Sequence, residues 1–481
     1  MIKRISIFSL VGFLVLAAIV LFNTFTNTST QIKVEAIPAP EVKPEALQHF
    51  QQAIGFKTIS FGDSSLFDST QFIGFRNFLE NTYPQMHQTL TKEILVGYSL
   101  LYRWEGKDSL LKPVVILAHQ DVVPIEEETQ AMWTVDPFAG TVKENFIWGR
   151  GTTDDKINLI AMCEAIEKLV GEDFQPDRTI YFAFGHDEEI GGTGAIAIAK
   201  LMKERNIVAE MVMDEGGIIT RDKVPGLPKP VALLGTSEKG YLSINLTVEI
   251  SGGHSSMPEQ ETAIDILSRA LVKLRSEPFQ AEFSEPMNGL IQKLGPEMPF
   301  MQRMAFSNPW LFKELIIGTY EQSGAGNAMV RTTVVPTIIK SGIKDNVVPT
   351  QAKATVNFRL LPGNTSAEVI ERVKEIIRDD RVVITKFKGA FSEASAVTPM
   401  ESFGYKKVEA TIKKTYPELL TSPFLMIGAT DSRHFGEVST NIIKFSPMID
   451  PVGFHGIDER VSLESYQTAL WFYELLMRDL K

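Results

Sequence analysis

Three apolar runs in this chain each break off into acidic residues, and that punctuation constrains the fold more than any bulk property. Val114–Ala118 leads into His119-Gln120-Asp121, Thr179–Phe184 into Gly185-His186-Asp187-Glu188-Glu189, and Ala209–Met213 into Asp214-Glu215-Gly216-Gly217. Short apolar runs of this kind read as buried strands, and helical patterns at Ile157–Val170 and Thr193–Arg205 lie between them. Strands alternating with helices predict an α/β unit with a mostly parallel sheet. Open α/β sheets build their sites at the carboxyl ends of strands, where these acids gather. Carboxylates crowded together are unfavourable unless cations share them.

Other candidates join these. His119 and Asp121 stand two apart at a strand end and point to one side, so the carboxylate can orient the imidazole. Asp154, in Gly149-Arg150-Gly151-Thr152-Thr153-Asp154-Asp155-Lys156, sits where a glycine-rich turn enters a helix, and helix capping is its ordinary explanation. His455 lies in a loop, Gly453-Phe454-His455-Gly456, shortly before the closing helix. Singly these are a strand end, a cap, a charged turn and a loop histidine. Together, two histidines and three carboxylates match two neighbouring zinc ions bridged by one carboxylate. The only cysteine, Cys163, excludes a disulfide framework and a Cys-rich zinc site, so His, Asp and Glu must be the donors. A net charge of −11 with no long Lys/Arg block argues against a nucleic-acid partner.

A chain of 481 residues with 44% hydrophobic content suits two globular units. Residues 1–30 stand apart: Lys3 and Arg4 precede an uncharged stretch, Ile5–Phe22, about as long as a minimal membrane span. The expectation is a single-pass anchor with the body on the non-cytoplasmic side; the alternative is secretion after signal cleavage, for which Asn23-Thr24-Phe25-Thr26 offers no good small-x-small site. Residues 31–44 carry three prolines and are expected to be an extended spacer. Catalytic residues 45–237 follow. The alternating strand Tyr241–Ile250 opens an inserted α+β unit, residues 238–389, with helix Glu261–Arg275, strand Ala352–Arg359, helix Ser366–Asp379 and strand Arg381–Lys386 as a β-α-β-type lid. Residues 390–481 return to the first unit with strand Ser422–Met426 and helix Leu463–Leu480.

With these motifs in order, H-x-D, G-x-x-D-x-K, D-E-E and a late His, the sequence resembles the di-zinc metallopeptidase family that includes aminoacylase, glutamate carboxypeptidase and carboxypeptidase S. The likeness covers nearly everything after the linker. It implies one metal on His119, Asp154 and Asp214 and another on Asp154, Glu189 and His455, with Glu188 as general base and Asp121 behind His119. It further implies a cis peptide at Asp154-Asp155, an oxyanion donor at His254 that in relatives often comes from a partner subunit, and hence a homodimer through the lid. Within the family, Gly185–Glu189, Asp214–Gly217 and Ser307-Asn308-Pro309-Trp310-Leu311-Phe312 resemble most closely the N-fatty-acyl-amino-acid synthase/hydrolase and carboxypeptidase S branches.

The implied reaction is hydrolysis, or its reverse, of the amide bond of N-acyl amino acids by a metal-activated water. Zinc is the expected metal, cobalt and manganese being compatible with the same donors. Recognition of an α-carboxylate calls for a bidentate cation, for which Arg433 and Arg359 are candidates, with Asn346 as a helper by resemblance. The Met- and Phe-rich stretch Pro286–Tyr320 is mostly core by expectation, with some side chains lining an acyl channel. A carboxypeptidase acting on short peptides is the rival enzyme. A metal-dependent binding protein is the rival of another class, and it would have no need of Glu188.

Overall fold

In the computed structural model the described residues are all but Met1, Asp222, Lys223, Pro225, Pro228 and Ala390, with side chains described from Phe8 onward. The three acid-ended runs form strands Val114–His119, Ile180–Gly185 and Met211–Asp214. They lie side by side and parallel, Val114–His119 in the middle, and Ile442–Lys444 extends the parallel set beyond Met211–Asp214. Their carboxyl ends therefore open together on one edge of the sheet. Both faces are covered, as parallel strands require. Val114, Ile116 and Ala118 join a core with helices Lys156–Gly171 and Leu463–Asp479, while Val115 and Leu117 pack with helix Thr193–Glu204 on the other face.

The parallel arrangement holds at the centre and gives way at the flanks. Thr91–Leu95 and Ser99–Trp104 are joined only by the turn Val96-Gly97-Tyr98, with Val96 and Gly97 at positive φ, too short for the crossover that a parallel pair needs. Ser99–Trp104 then pairs antiparallel with Ile180–Gly185. At the other flank Val231–Glu238 runs antiparallel to Ile442–Lys444 and parallel to Leu420–Met426.

From Glu238 the chain crosses by Lys239 into a second, antiparallel sheet. Its order is Thr333–Ser341, Gln351–Leu360, Gly240–Glu249, Val382–Lys386. Helices Ala263–Ser276 and Ser366–Ile377 close a separate core with Leu242, Ile244, Leu246 and Phe358. Each of these helices starts in a capping box, Thr262 with Asp265 and Thr365 with Glu368, which satisfies orphan amides reciprocally. Strands Leu420–Met426 and Ile442–Lys444 then return to the first sheet, so the smaller sheet interrupts the larger one in sequence.

Two arrangements go beyond what the sequence suggested. Helix Glu285–Leu294, inside the span assigned to the lid, packs Met287, Leu290, Ile291 and Leu294 with Val231 and Leu420 at the edge of the central sheet. The spacer is also tied down: Gln31 Nε2 donates to Thr421 O at 2.9 Å, Ile37 N to Lys414 O at 3.0 Å, and Trp471 Nε1 to Ile37 O at 3.0 Å. Helix Pro44–Ile54 follows, its proline in the first turn where no amide is needed.

Candidate metal centre

At the open edge of the parallel strands the chain gathers groups from five distant segments. Asp154 lies between two imidazoles, with Oδ1 2.7 Å from His119 Nε2 and Oδ2 2.6 Å from His455 Nε2. A second carboxylate attends each imidazole: Glu215 Oε1 is 3.3 Å from His119 Nε2, and Glu189 Oε1 is 3.2 Å from His455 Nε2. His119, Asp155 and Glu215 bring ligand atoms within 4.8 Å of one another, and so do His119, Asp154 and Glu189. The Asp154-Asp155 peptide is cis.

Local sequence explains how each group is held. The other nitrogen of His119 faces Asp121, 3.0 Å from its carbonyl oxygen and 3.3 Å from its carboxylate. That carboxylate accepts from Ser60 Oγ at 2.5 Å and from the amides of Glu188 and Glu189 at 3.1 Å each, so it aligns one imidazole and the acidic turn together. Glu188 follows the end of Ile180–Gly185 in the short helical turn Glu188–Ile190. The loops bearing Asp154 and His455 are fastened by a buried pair, Arg150 Nη1 to Glu459 at 2.5 Å. Glu459 also accepts from Gly151 N and Thr153 N, while Arg150 donates to the carbonyls of His455 and Gly456.

The electrostatics mark a site built for cations. Burial raises Asp155, Glu215 and Glu188 well above the ordinary carboxylate range, against the pull of the His119 charge; Asp154 adds to the shift at Asp155 and Glu215, and Asp431 and Glu189 add to it at Glu188. Burial alone would raise Asp154 too, but its bonds to His119 and His455 outweigh that and hold it below the usual range. Bonds to Asp154 and Glu189 lift His455 to about 10. Glu189 Oε1 is buried and, apart from its ion-pair contact with His455, has no hydrogen-bond donor among the described residues, so it is an acceptor that a cation would satisfy. Mixed imidazole and carboxylate donors fit zinc and its neighbours.

One expected ligand lies elsewhere. The Asp214 carboxylate turns onto the amides of Ser432, at 2.7 Å, and Glu215, at 2.9 Å, and it is Glu215 that faces His119. Glu215, Asp155, Ser60, Glu459 and buried Asp431 are members of the site that the motifs did not single out. The doubled acids in Asp154-Asp155 and Asp214-Glu215 were the visible signal for two of them.

The substrate candidates are more scattered. Arg433 stands in the turn Asp431–Phe435 beside the cluster, and Arg359, over the Tyr241 ring at 4.6 Å, feels its charge; burial chiefly, and Arg433 in addition, lower the Arg359 pKa. His254 and Asn346 sit on paired loops of the smaller unit, Ser255 N donating to Asn346 O at 3.2 Å, and both are exposed. His254 bonds Ser256 Oγ at 2.8 Å, and no contact joins it to the cluster among the described residues.

The chain is similar to known proteins in both sequence and fold. Over 98% of its length this chain is 39% identical to probable carboxypeptidase S-like 2 of Dictyostelium discoideum, covering 92% of that protein. It is 38% identical to the human N-fatty-acyl-amino acid synthase/hydrolase PM20D1 over 88% of this chain and 86% of that one. The fold matches a family M20 metallo-carboxypeptidase from Sulfolobus solfataricus with a TM-score of 0.65 at 18% identity, covering 91% of this chain and 99% of that one. Residues 115–479, which carry every donor of the cluster, match peptidase family M20/M25/M40, and to that family of metal-dependent hydrolases this chain belongs.

Proposed function

We propose that this protein hydrolyses the amide bond of N-acyl amino acids, releasing a free amino acid, and that the reaction is reversible. The observation that carries this is Asp154 bonded through separate oxygens to His119 and His455, each imidazole with its own further carboxylate. We assign one divalent cation to His119, Asp154 and Glu215 and another to Asp154, Glu189 and His455, with zinc as the metal. Bound there, the pair would polarise the scissile carbonyl and lower the pKa of a shared water from nearly 16 towards ~7.

The residues of the chain do the rest. Glu188, raised by burial, is suited to take the proton of the attacking water near neutral pH and hand it to the leaving amine. Asp121 holds His119 in one orientation. Arg433, with Arg359 behind it, offers a guanidinium to the α-carboxylate, and Asn346 assists. His254 donates to the developing oxyanion. Because His254 is exposed and apart from its own cluster, we assign it to the site of a second copy, which makes the working unit a dimer. The N-terminal helix anchors the body outside the cytoplasm, within reach of amphiphilic substrates.

A carboxypeptidase reading shares the carboxylate anchor and is favoured by the carboxypeptidase S-like relative. Release of free amino acid from N-acyl amino acids and from short peptides by the full chain, with chelator, with metal restored and with Glu188→Gln, tests both. Metal-dependent release abolished by Glu188→Gln supports the hydrolase, and the preferred substrate chooses between the readings. Metal binding without turnover of either substrate class would overturn it.

A further inference from the structure

The N-terminal helix is not a free tether. At its outer end Asn23 Nδ2 donates to Asn308 Oδ1 at 2.9 Å, and Asn308 Nδ2 donates back to Val20 O at 3.1 Å and to Met304 O at 2.9 Å. Asn27 Nδ2 reaches Ser307 Oγ at 2.9 Å, Arg303 donates to Asn27 O at 2.7 Å, and Phe25 packs on Phe300 with ring centroids 6.1 Å apart. These partners belong to two consecutive short helices, Phe300–Ser307 and Pro309–Tyr320, which turn at fully buried Asn308.

Depth follows from length. About 20 helical residues cross a 30 Å hydrocarbon core, so a span beginning at Ile5 leaves it near Thr24. Val20 and Thr24 then lie within the outermost ~6 Å of the core, and the turn bonded to them lies at the same level. Every polar atom of Asn308 at that depth has a partner, which is what a bilayer demands.

The outward surface of the hairpin is apolar. Phe300, Met301, Trp310, Leu311 and Leu315 are 42–65% exposed, while Phe306, Phe312 and Ile316 face inward to the core shared with Leu420 and Val231 of the central sheet. On the longer helix, Trp310, Leu311 and Leu315 share the open side with Gly318 and Thr319, and Glu314 is the charged residue among them. Exposed apolar side chains in this number, with a tryptophan, mark a surface made for something other than water.

We propose that the hairpin Phe300–Tyr320 is a second membrane contact, lying in the outer leaflet beside the anchor with Trp310 at the interface. It rests on the reading of the N-terminal helix as an anchor. The inner face of the hairpin is welded to the central sheet, so two contacts instead of one would fix the catalytic edge at a set height and orientation over the bilayer. The occupant of the apolar face is lipid.

The test uses the full chain in phosphatidylcholine vesicles whose acyl chains are brominated either near the headgroup or near the terminal methyl. The difference in emission between wild type and Trp310→Phe isolates Trp310, which is no part of the catalytic machinery. The expected result is loss of most of that emission with bromine near the headgroup and less loss with deep bromine. Cys163 is buried, so a nitroxide on Leu315→Cys reports independently. It should collide with oxygen more than with a water-soluble nickel chelate, the reverse of Leu110→Cys in the exposed loop before Val114–His119. Flotation with the vesicles but no Trp310 quenching, and a Leu315 site as wet as Leu110, overturns the hairpin proposal and leaves the anchor. Failure to float overturns the anchor reading and the proposal with it.

Discussion

Asp154 and His455 are 301 residues apart in the chain and 2.6 Å apart in the fold, and the second oxygen of the same carboxylate meets His119. A carboxylate shared in this way would couple the two proposed cation positions, so removing it and removing one imidazole should differ in kind. His455→Ala is expected to lower bound metal from two ions per chain to one, whereas Asp154→Asn lowers both. Either change should reduce kcat/KM by roughly 10³-fold, the equivalent of several kcal/mol of charge stabilisation. Metal counting by mass spectrometry after dialysis checks this, and equal metal content in the two variants would contradict the bridge.

Glu188 stands apart from both ligand sets, and burial keeps its carboxyl well above the ordinary range. Glu188→Gln preserves shape and hydrogen-bonding capacity but cannot accept the proton. The expected loss in kcat is roughly 10²- to 10⁴-fold, with KM and metal content near those of wild type. Steady-state kinetics on metal-counted protein reads this out; a loss confined to KM would remove Glu188 from the chemistry.

The buried Arg150–Glu459 pair acts at one remove, joining the turn before Asp154 to the loop of His455. Arg150→Met leaves the Glu459 charge with only Gly151 N and Thr153 to meet it. Breaking such a pair from one side costs about 3–5 kcal/mol. Chemical unfolding should register that loss, and the cation shared by Glu189 and His455 should dissociate more readily than in wild type. Unchanged metal retention would reduce the pair to a purely structural role.

What was legible in the sequence follows from what is local. The strand ends at His119 and Gly185, the helix after Asp155 and the two capping-box helices are written in periodicity and turn chemistry within a few residues. The choice between Asp214 and Glu215 is not. Neighbouring residues leaving a strand point to opposite sides, and Asp214 is drawn away by the amide of Ser432, 218 positions later. Glu459 and Ser60 are likewise ordinary polar residues until the fold brings Thr153 and Asp121 to them. The N-terminal helix was legible from its composition as one long and apolar enough to cross a membrane, but its docking on Asn308 depends on a contact 288 residues away.

Lys239 links stability to pH at the seam between the two sheets. Its ammonium is buried and donates to Ala328 O and Arg331 O, both at 2.7 Å; burial chiefly, and the Arg359 charge in addition, lower its pKa from 10.5 to about 7. In the unfolded chain the amine keeps its ordinary value, so between pH 7 and 10.5 the unfolded state binds more protons than the folded one. Stability from this group therefore rises with pH across that window, by up to ~1.4 kcal/mol per unit, and the penalty is fully present below pH 7. Lys239→Met carries no such proton. The unfolding free energy of wild type minus that of the variant should accordingly climb over the window on moving from neutral to alkaline buffer. A flat or falling difference would mean that burial and the Arg359 charge do not depress the pKa of this amine in the folded state.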